Sequence, residues 1–247
     1  MKIKTLKDLQ KAKEKGLRSL YPGKVKIAVG MATCGLATGA REVYEAIAQA
    51  VEQHGLPAVL THTGCLGFCQ REPLVDVLTP GRPRLFYAEM SPEKASTLVA
   101  ELAQGRLPKD NALARMVAEE YILEDRWYEY PLDGGAPELE TLPLYQNLPF
   151  FARQQKIVLR NCGFINPENV EEYIARGGYF SLYQVLKEMK PEEVIEVIIK
   201  SGLRGRGGAG FPTGVKWRAT RQAKGEAKYI ICNADEGDPG AFMDRSI

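Results

Sequence analysis

The chain reads as a two-part α/β protein. Three observations carry that expectation. Apolar residues switch between alternating and helical spacing through residues 24–105, they do so again from residue 151, and a stretch rich in proline and aromatic residues separates the two runs. At 247 residues, 45% apolar and 26% charged, the chain has the length and composition of a globular protein of two ordinary domains. A net charge of +2 points to no nucleic-acid or other polyanionic partner. No apolar run reaches membrane-spanning length. The opening Met-Lys-Ile-Lys-Thr-Leu-Lys lacks the apolar core of a secretory signal, so a cytoplasmic location is expected. Five cysteines, an odd number, suit metal ligands or ordinary buried thiols better than a disulfide scaffold.

Four segments follow: an N-terminal helix within 1–21, an α/β domain over 22–108, an aromatic linker over 109–150, and the opening part of a second α/β domain over 151–247. Residues 5–20 place Leu6, Leu9, Leu17 and Leu20 among lysines, the pattern of a basic amphipathic helix. Residues 24–30 alternate as a strand does. Val43, Ile47, Ala50 and Val51 share a helical face that Gly55 ends. Residues 58–61 read as a short buried strand, and 74–78 with 84–87 as a hairpin across Thr79-Pro-Gly-Arg-Pro83. Ser91 caps a helix whose first residue is Pro92 and which ends near Gly105. This βαβββα order suits a thioredoxin-like sheet. Residues 111–120 read as a short helix. Beyond it Trp127, Tyr128, Tyr130, Pro131, Pro143, Tyr145 and Pro149 mark a segment that lies along a surface. In the last part 156–159 and 228–233 read as strands. Asn166-Pro167, Leu182–Met189, Pro191–Lys200 and Val215–Ala223 begin or form helices.

The run Ser201–Trp217 holds six glycines with Arg204, Arg206 and Lys216 threaded among them. Glycine lets the backbone reach positive φ and lets a ligand approach, and successive inward amides make an anion nest. A phosphate cradle for a nucleotide or flavin is the expectation. Gly205-x-Gly207-x-x-Gly210 fits the dinucleotide fingerprint, but a helix precedes it where that fingerprint follows a strand. Trp217 after Lys216 removes the Walker pattern. Downstream, Asn233, Asp235, Glu236 and Asp238 follow an expected strand and offer amide and carboxylate groups to a ligand's polar edge.

In the first domain Cys34 follows the first strand, and Cys65 and Cys69 lie in a glycine-rich loop after the second. Thiolates on strand-end loops are placed for an iron–sulfur cluster, and the three-residue gap is one too long for a thioredoxin redox pair. Cys34 to Glu42 and Thr63 to Val75 resemble the thioredoxin-like [2Fe–2S] ferredoxin family, whose cluster takes four cysteines. This chain is one short, the absent cysteine falling close to Gly30. His62 is the sequence's nearest substitute. An occupied cluster and an emptied domain retained for docking both remain open.

Gly202–Trp217 together with Cys232–Arg245 resembles the family of flavin- and NADH-binding subunits of respiratory complex I and the diaphorase subunits of NAD-linked and bifurcating hydrogenases and formate dehydrogenases. The layout, with a ferredoxin-like domain first, is most similar to the hydrogenase and formate dehydrogenase branch. The resemblance implies a thioredoxin-like ferredoxin domain followed by the first part of a Rossmann-like α/β FMN-binding domain. It implies FMN and NAD(H) as cofactors, with Gly205, Arg206, Gly207, Gly208, Gly210 and Lys216 at the FMN phosphate and ribityl chain. Asn233, Asp235 and Glu236 would face the flavin, Phe211 would stack on the nucleotide, and Asp238 would lie near the nicotinamide. Cys34, Cys65 and Cys69 would be the metal ligands, with a fourth missing. Hydride would pass from NAD(P)H to FMN with no catalytic side chain, and electrons onward to iron–sulfur and ferredoxin-like subunits of a hydrogenase, formate dehydrogenase or complex I-like assembly. The family continues past this point to a [4Fe–4S] domain, so the sequence is expected to be a C-terminally truncated piece with half its flavin site, inactive alone. A docking fragment and a stand-alone thioredoxin-like electron carrier are the competing readings.

Overall fold

The computed structural model describes residues 2–132, 137–231 and 233, which form two compact units dividing at Gly177 and Gly178. The first begins with α1 (Leu6–Leu20). Thr5 and Asp8 cap it reciprocally, the Asp8 amide donating to Thr5 Oγ1 at 3.2 Å and the Thr5 amide to Asp8 Oδ2 at 3.0 Å. Leu9, Ala12, Gly16 and Leu20 form its buried face, while Leu6 stays exposed.

The sheet follows: β1 (Val25–Gly30), β2 (Ala58–Thr63), β3 (Val75–Leu78), β4 (Arg84–Tyr87) and β5 (Ala112–Met116), in spatial order β2-β1-β3-β4-β5. β1 runs parallel to β2, with Val25 opposite Ala58 and Gly30 opposite Thr63; β3, β4 and β5 pair antiparallel in turn. Between β1 and β2 lie α2 (Thr33–Ala37) and α3 (Ala40–Gln53), and α4 (Pro92–Ala103) follows β4. This is the thioredoxin-like mixed sheet that the βαβββα pattern anticipates. One face packs Ile27, Val29, Val77, Leu85 and Tyr87 against Val43 and Ile47 of α3 and Leu98 and Val99 of α4. Leu74, Leu78 and Phe86 of the other face pack with Tyr130, Tyr145 and Phe151. Burial on both faces accounts for β3 and β4 being buried at every position.

That second core draws Ala114, Met116, Tyr130 and Tyr145 from the 109–150 stretch, expected as a linker. It lies along the protein, as its prolines and aromatics suggest, but along the sheet of its own unit. Residues 111–120, expected as a helix, are β5 and the start of β6 (Ala118–Tyr121), which pairs with β7 (Arg126–Glu129). The reason is tertiary: β4 presents an open edge, and pairing with it outweighs the local helical preference. Residues 156–159 form turns instead of a strand, with Ile157 and Val158 exposed. Residues 228–231 are unpaired, with Tyr229, Ile230 and Ile231 more than four-fifths exposed. A strand needs a neighbour, and neither segment finds one among the described residues.

The unit closes with α5 (Val170–Ala175), capped by Asn169, whose Oδ1 accepts from the Glu171 amide at 3.1 Å. α5 lies tightly on α1: a Cβ on Gly16 would sit 1.9 Å from the Glu171 carbonyl oxygen. The second unit shows α6 (Phe180–Glu188), α7 (Pro191–Lys200) and α8 (Thr213–Gln222), and no strand among its described residues. α7 and α8 are antiparallel neighbours. Arg218 pairs with Glu196 at 2.7 Å and Arg221 with Glu192 at 2.8 Å, while Gly214 lies where a Cβ would be 2.5 Å from Ile199 Cγ1.

The Gly16 contact sets a clear expectation. Gly16→Val must push α5 off α1 and should lower stability by about 2 kcal/mol or more, read as a fall in the urea midpoint with an unchanged slope.

Candidate functional site

The glycine-rich run is a closed loop on top of the α7–α8 pair. The Thr213 amide donates to the Leu203 carbonyl at 2.9 Å and the Gly205 amide to the Phe211 carbonyl at 2.9 Å, so residues 203–205 and 211–213 form a short antiparallel neck. Arg206 to Gly210 form the tip. Gly208 (φ 100°) and Gly210 (φ 62°) take the left-handed conformations that their residue type permits. The cations divide by role. Arg204 Nη1 donates to the Gly210 carbonyl at 3.3 Å and braces the loop, and Arg218 and Arg221 are held by α7 carboxylates. Among the described residues no carboxylate engages Arg206 or Lys216. Lys216 lies in the first turn of α8, whose first amides carry no side-chain cap and add partial positive charge beside the tip.

Gly205, Arg206, Gly207, Gly208, Gly210, Phe211 and Lys216 therefore belong to one exposed loop–helix element, with Phe211 half exposed. Asn233 is exposed and belongs to no helix or strand. Asp235, Glu236 and Asp238 lie outside the described residues.

In the first unit the register of β1 and β2 explains how distant cysteines meet. Gly30 and Thr63 are paired at the same end of two parallel strands, so the loops leaving them emerge side by side. Cys34 lies in α2 directly after β1, Cys65 follows β2, and Cys69 opens a 3₁₀ turn. The Cys65 and Cys69 sulfurs are 3.7 Å apart, and the Gly67 amide donates to Cys65 Sγ at 3.1 Å. The Cys69 thiol is pushed up to about 12, by burial and then by hydrogen bonding with Cys34 and Cys65. Three thiols thus converge, although among the described residues no three His, Cys, Asp or Glu groups are drawn into a finished metal shell. The donor set is sulfur-only, which suits iron–sulfur ligation and not a hard cation.

His62 is not part of the group: its Nε2 faces Glu168 at 3.4 Å. At Gly30, where the family's further cysteine would fall, a Cβ would lie 3.4 Å from Glu72 Oε2. That carboxylate also accepts from the Leu74 amide at 2.8 Å, and burial raises its pKa. Two residues beside the thiols were not legible in the sequence. Lys156 Nζ donates to the Leu66 carbonyl at 2.6 Å and lies 4.7 Å from the Phe151 ring centroid. Cys162 is half-buried, its pKa raised by burial and by the nearby Cys65 despite the opposing Lys156 charge. The pair Cys162-Gly163, a thiol beside a glycine as in the other cysteine loop, is the signal that was present.

Residues 198–247 match the Complex1_51K family, the Nuo51 FMN-binding domain. The chain is 56% identical over 95 residues to the NADP-reducing hydrogenase subunit HndC of Solidesulfovibrio fructosivorans, a span covering 38% of this chain and 19% of that protein. It is 48% identical over 93 residues to a subunit of NADH-quinone oxidoreductase from Rhizobium meliloti, covering 38% and 22%. It is homologous to NADH-quinone oxidoreductase and hydrogenase subunits. The longest of these matches, to the NAD-reducing hydrogenase HoxS subunit alpha of Cupriavidus necator, runs over 188 residues at 34% identity and covers 75% of this chain and 25% of that subunit. The chain thus spans about a fifth to a quarter of the length of these curated relatives. A thioredoxin-like [2Fe–2S] ferredoxin from Aquifex aeolicus aligns with 37% of this chain and 92% of its own length, at 22% identity and a TM-score of 0.33. No helix among the described residues is long and apolar enough to cross a membrane.

The thiol group has a measurable signature. In metal-free protein Cys69 should react slowly with iodoacetamide at pH 8 despite its exposure, because its thiol stays neutral there. Its alkylation rate, followed by mass spectrometry, should still climb above pH 10, and a plateau near pH 9 would contradict the shared-pocket geometry.

Proposed function

We propose that this chain contributes the electron-entry (diaphorase) part of an NAD(P)H-oxidising, multisubunit flavin and iron–sulfur oxidoreductase. The match of residues 198–247 to the FMN-binding domain, beginning in α7 and running through the glycine loop, is the observation that carries this reading. The loop supports it physically: a neck held by two backbone hydrogen bonds presents free amides, Arg206, Lys216 and the α8 N-terminus on one element. Arg206 and Lys216 would hold the FMN phosphate by charge, and the left-handed Gly208 and Gly210 would let the backbone approach it. Phe211 would offer an aromatic face to the nucleotide, and Asn233, Asp235, Glu236 and Asp238 would form the facing polar wall.

FMN, when bound, supplies the hydride chemistry, taking two electrons from a reduced nicotinamide. The chain's residues would bind and orient, since hydride transfer between the two rings requires no side-chain general base. In the first unit Cys34, Cys65 and Cys69 would hold a [2Fe–2S] cluster that relays electrons. The electrons would pass to iron–sulfur subunits of a hydrogenase-like or complex I-like assembly, and a cytoplasmic setting is consistent with that role.

Charge reversal in the loop tests the reading. In a complete flavoprotein carrying this sequence, Arg206→Glu or Gly207→Glu should abolish FMN uptake, measured as flavin absorption per chain after gel filtration. Unchanged flavin content would remove the phosphate cradle. In the unsubstituted protein, NADH should bleach the flavin bands.

A further inference from the structure

We propose that Cys162 supplies the fourth thiol of the strand-end group, so that Cys34, Cys65, Cys69 and Cys162 together ligate one [2Fe–2S] cluster. This deepens the iron–sulfur part of the reading above and rests on it. A Cβ on Gly163 would stand 2.2 Å from Leu66 Cδ2 and 3.4 Å from Leu66 Cα, so the backbone of Gly163 lies directly against Leu66. Cys162 and Cys65 are the chain neighbours of those two residues. The two cysteines therefore flank the closest approach between segments almost a hundred positions apart.

The approach is pinned on several sides. Lys156 Nζ donates to the Leu66 carbonyl at 2.6 Å, Thr63 Oγ1 to the Ile165 carbonyl at 3.0 Å, and Asn166 Nδ2 to Thr61 Oγ1 at 3.1 Å. Gly163 also lines one small cavity with Gly30, Gly64, Leu66 and Glu72, between the loops that carry the other three cysteines. The alternatives are engaged elsewhere. His62 faces Glu168, Glu72 receives the Leu74 amide and offers a hard oxygen, and Gly30 has no donor. Four thiolates are the usual complement for this cluster, and Cys162 restores it from outside the βαβββα segment. In the step itself the Cys162 thiol releases its proton to solvent. Its sulfur then bonds to the iron whose coordination the other three cysteines leave open, with no change of oxidation state. The Lys156 ammonium beside Leu66 offsets part of the added negative charge.

The test uses the full chain, reconstituted anaerobically with ferrous iron and sulfide, as wild type, Cys162→Ala and Cys162→Ser. The readouts are iron and sulfide per chain, visible absorption, and the electron paramagnetic resonance spectrum after dithionite reduction. Wild type should show a [2Fe–2S] signal. Cys162→Ala should lose it, and Cys162→Ser should keep a signal with shifted g values because oxygen replaces sulfur, or lose it too. Iron content and spectrum unchanged in Cys162→Ala would overturn the role of Cys162 and leave the three-cysteine site standing. An iron-free wild type would overturn the cluster reading and this assignment together. Circular dichroism melts separate loss of ligand from loss of fold; if Cys162→Ala does not fold, Cys162→Ser decides, a shifted or lost signal in folded protein supporting the assignment and a wild-type spectrum with full iron overturning it.

Discussion

The carboxylate of Glu119, on β6, lies almost fully buried between two guanidinium groups. Arg84 of β4 approaches one oxygen at 2.9 Å, Arg176 at the end of α5 takes the other, and the Tyr130 hydroxyl also donates to it. Burial works against the charge on Arg84, but Asp76 at 2.9 Å and Glu119 outweigh it and hold the guanidinium firmly protonated. Charges this deep are tolerable only when every one is answered, and removing a single partner typically costs about 3–5 kcal/mol. A second buried pair extends the chain of contacts. Glu172 of α5 receives Lys26 of β1 at 3.3 Å and the Ser19 hydroxyl of α1 at 2.6 Å. Helices from both ends of the first unit are thus tied to its strands, α5 by ion pairs and α1 through the Ser19 hydrogen bond to Glu172, in a way that apolar packing alone would not orient.

This constraint explains which features could be read in the sequence. The first sheet was legible because its strands and helices announce themselves locally: alternation in 24–30, a single apolar face in 40–53, Ser91-Pro92 before α4. The thiol group was legible because Cys34 and Cys65 follow adjacent strands. The roles of Glu119 and Arg176 were not, since a charged residue in sequence looks the same whether it faces water or a buried counter-charge. β5 was misread for a related reason. Its strand character belongs to the free edge of β4, about thirty positions earlier, and not to residues 112–116 themselves. Cys162 carries no local signal of its place because its neighbours in space are far away in sequence.

In the second unit the glycines divide into two physical kinds. Gly208 and Gly210 bend the tip, whereas Gly214 is a matter of space, allowing α8 to settle on the backbone of Ile199. The sequence pattern groups all six as one motif. The geometry separates those that bend the loop tip from the one that brings its two supporting helices together. Arg218 and Arg221 are likewise spent on α7, which leaves the loop's positive potential to Arg206, Lys216 and the helix terminus.

The sheet's second face carries a consequence for how this module can be moved between proteins. A segment cut after α4, at the end of the βαβββα order, would leave β4 with an open edge and strip Tyr130, Tyr145 and Phe151 from Leu74, Leu78 and Phe86. It would also remove both partners of Arg84 and Lys26 that come from β6 and α5. The portable unit is therefore the whole of residues 2–177. Gene fusions that respect that longer boundary keep the scaffold intact, while shorter grafts would carry the cysteines without the walls that bring them together.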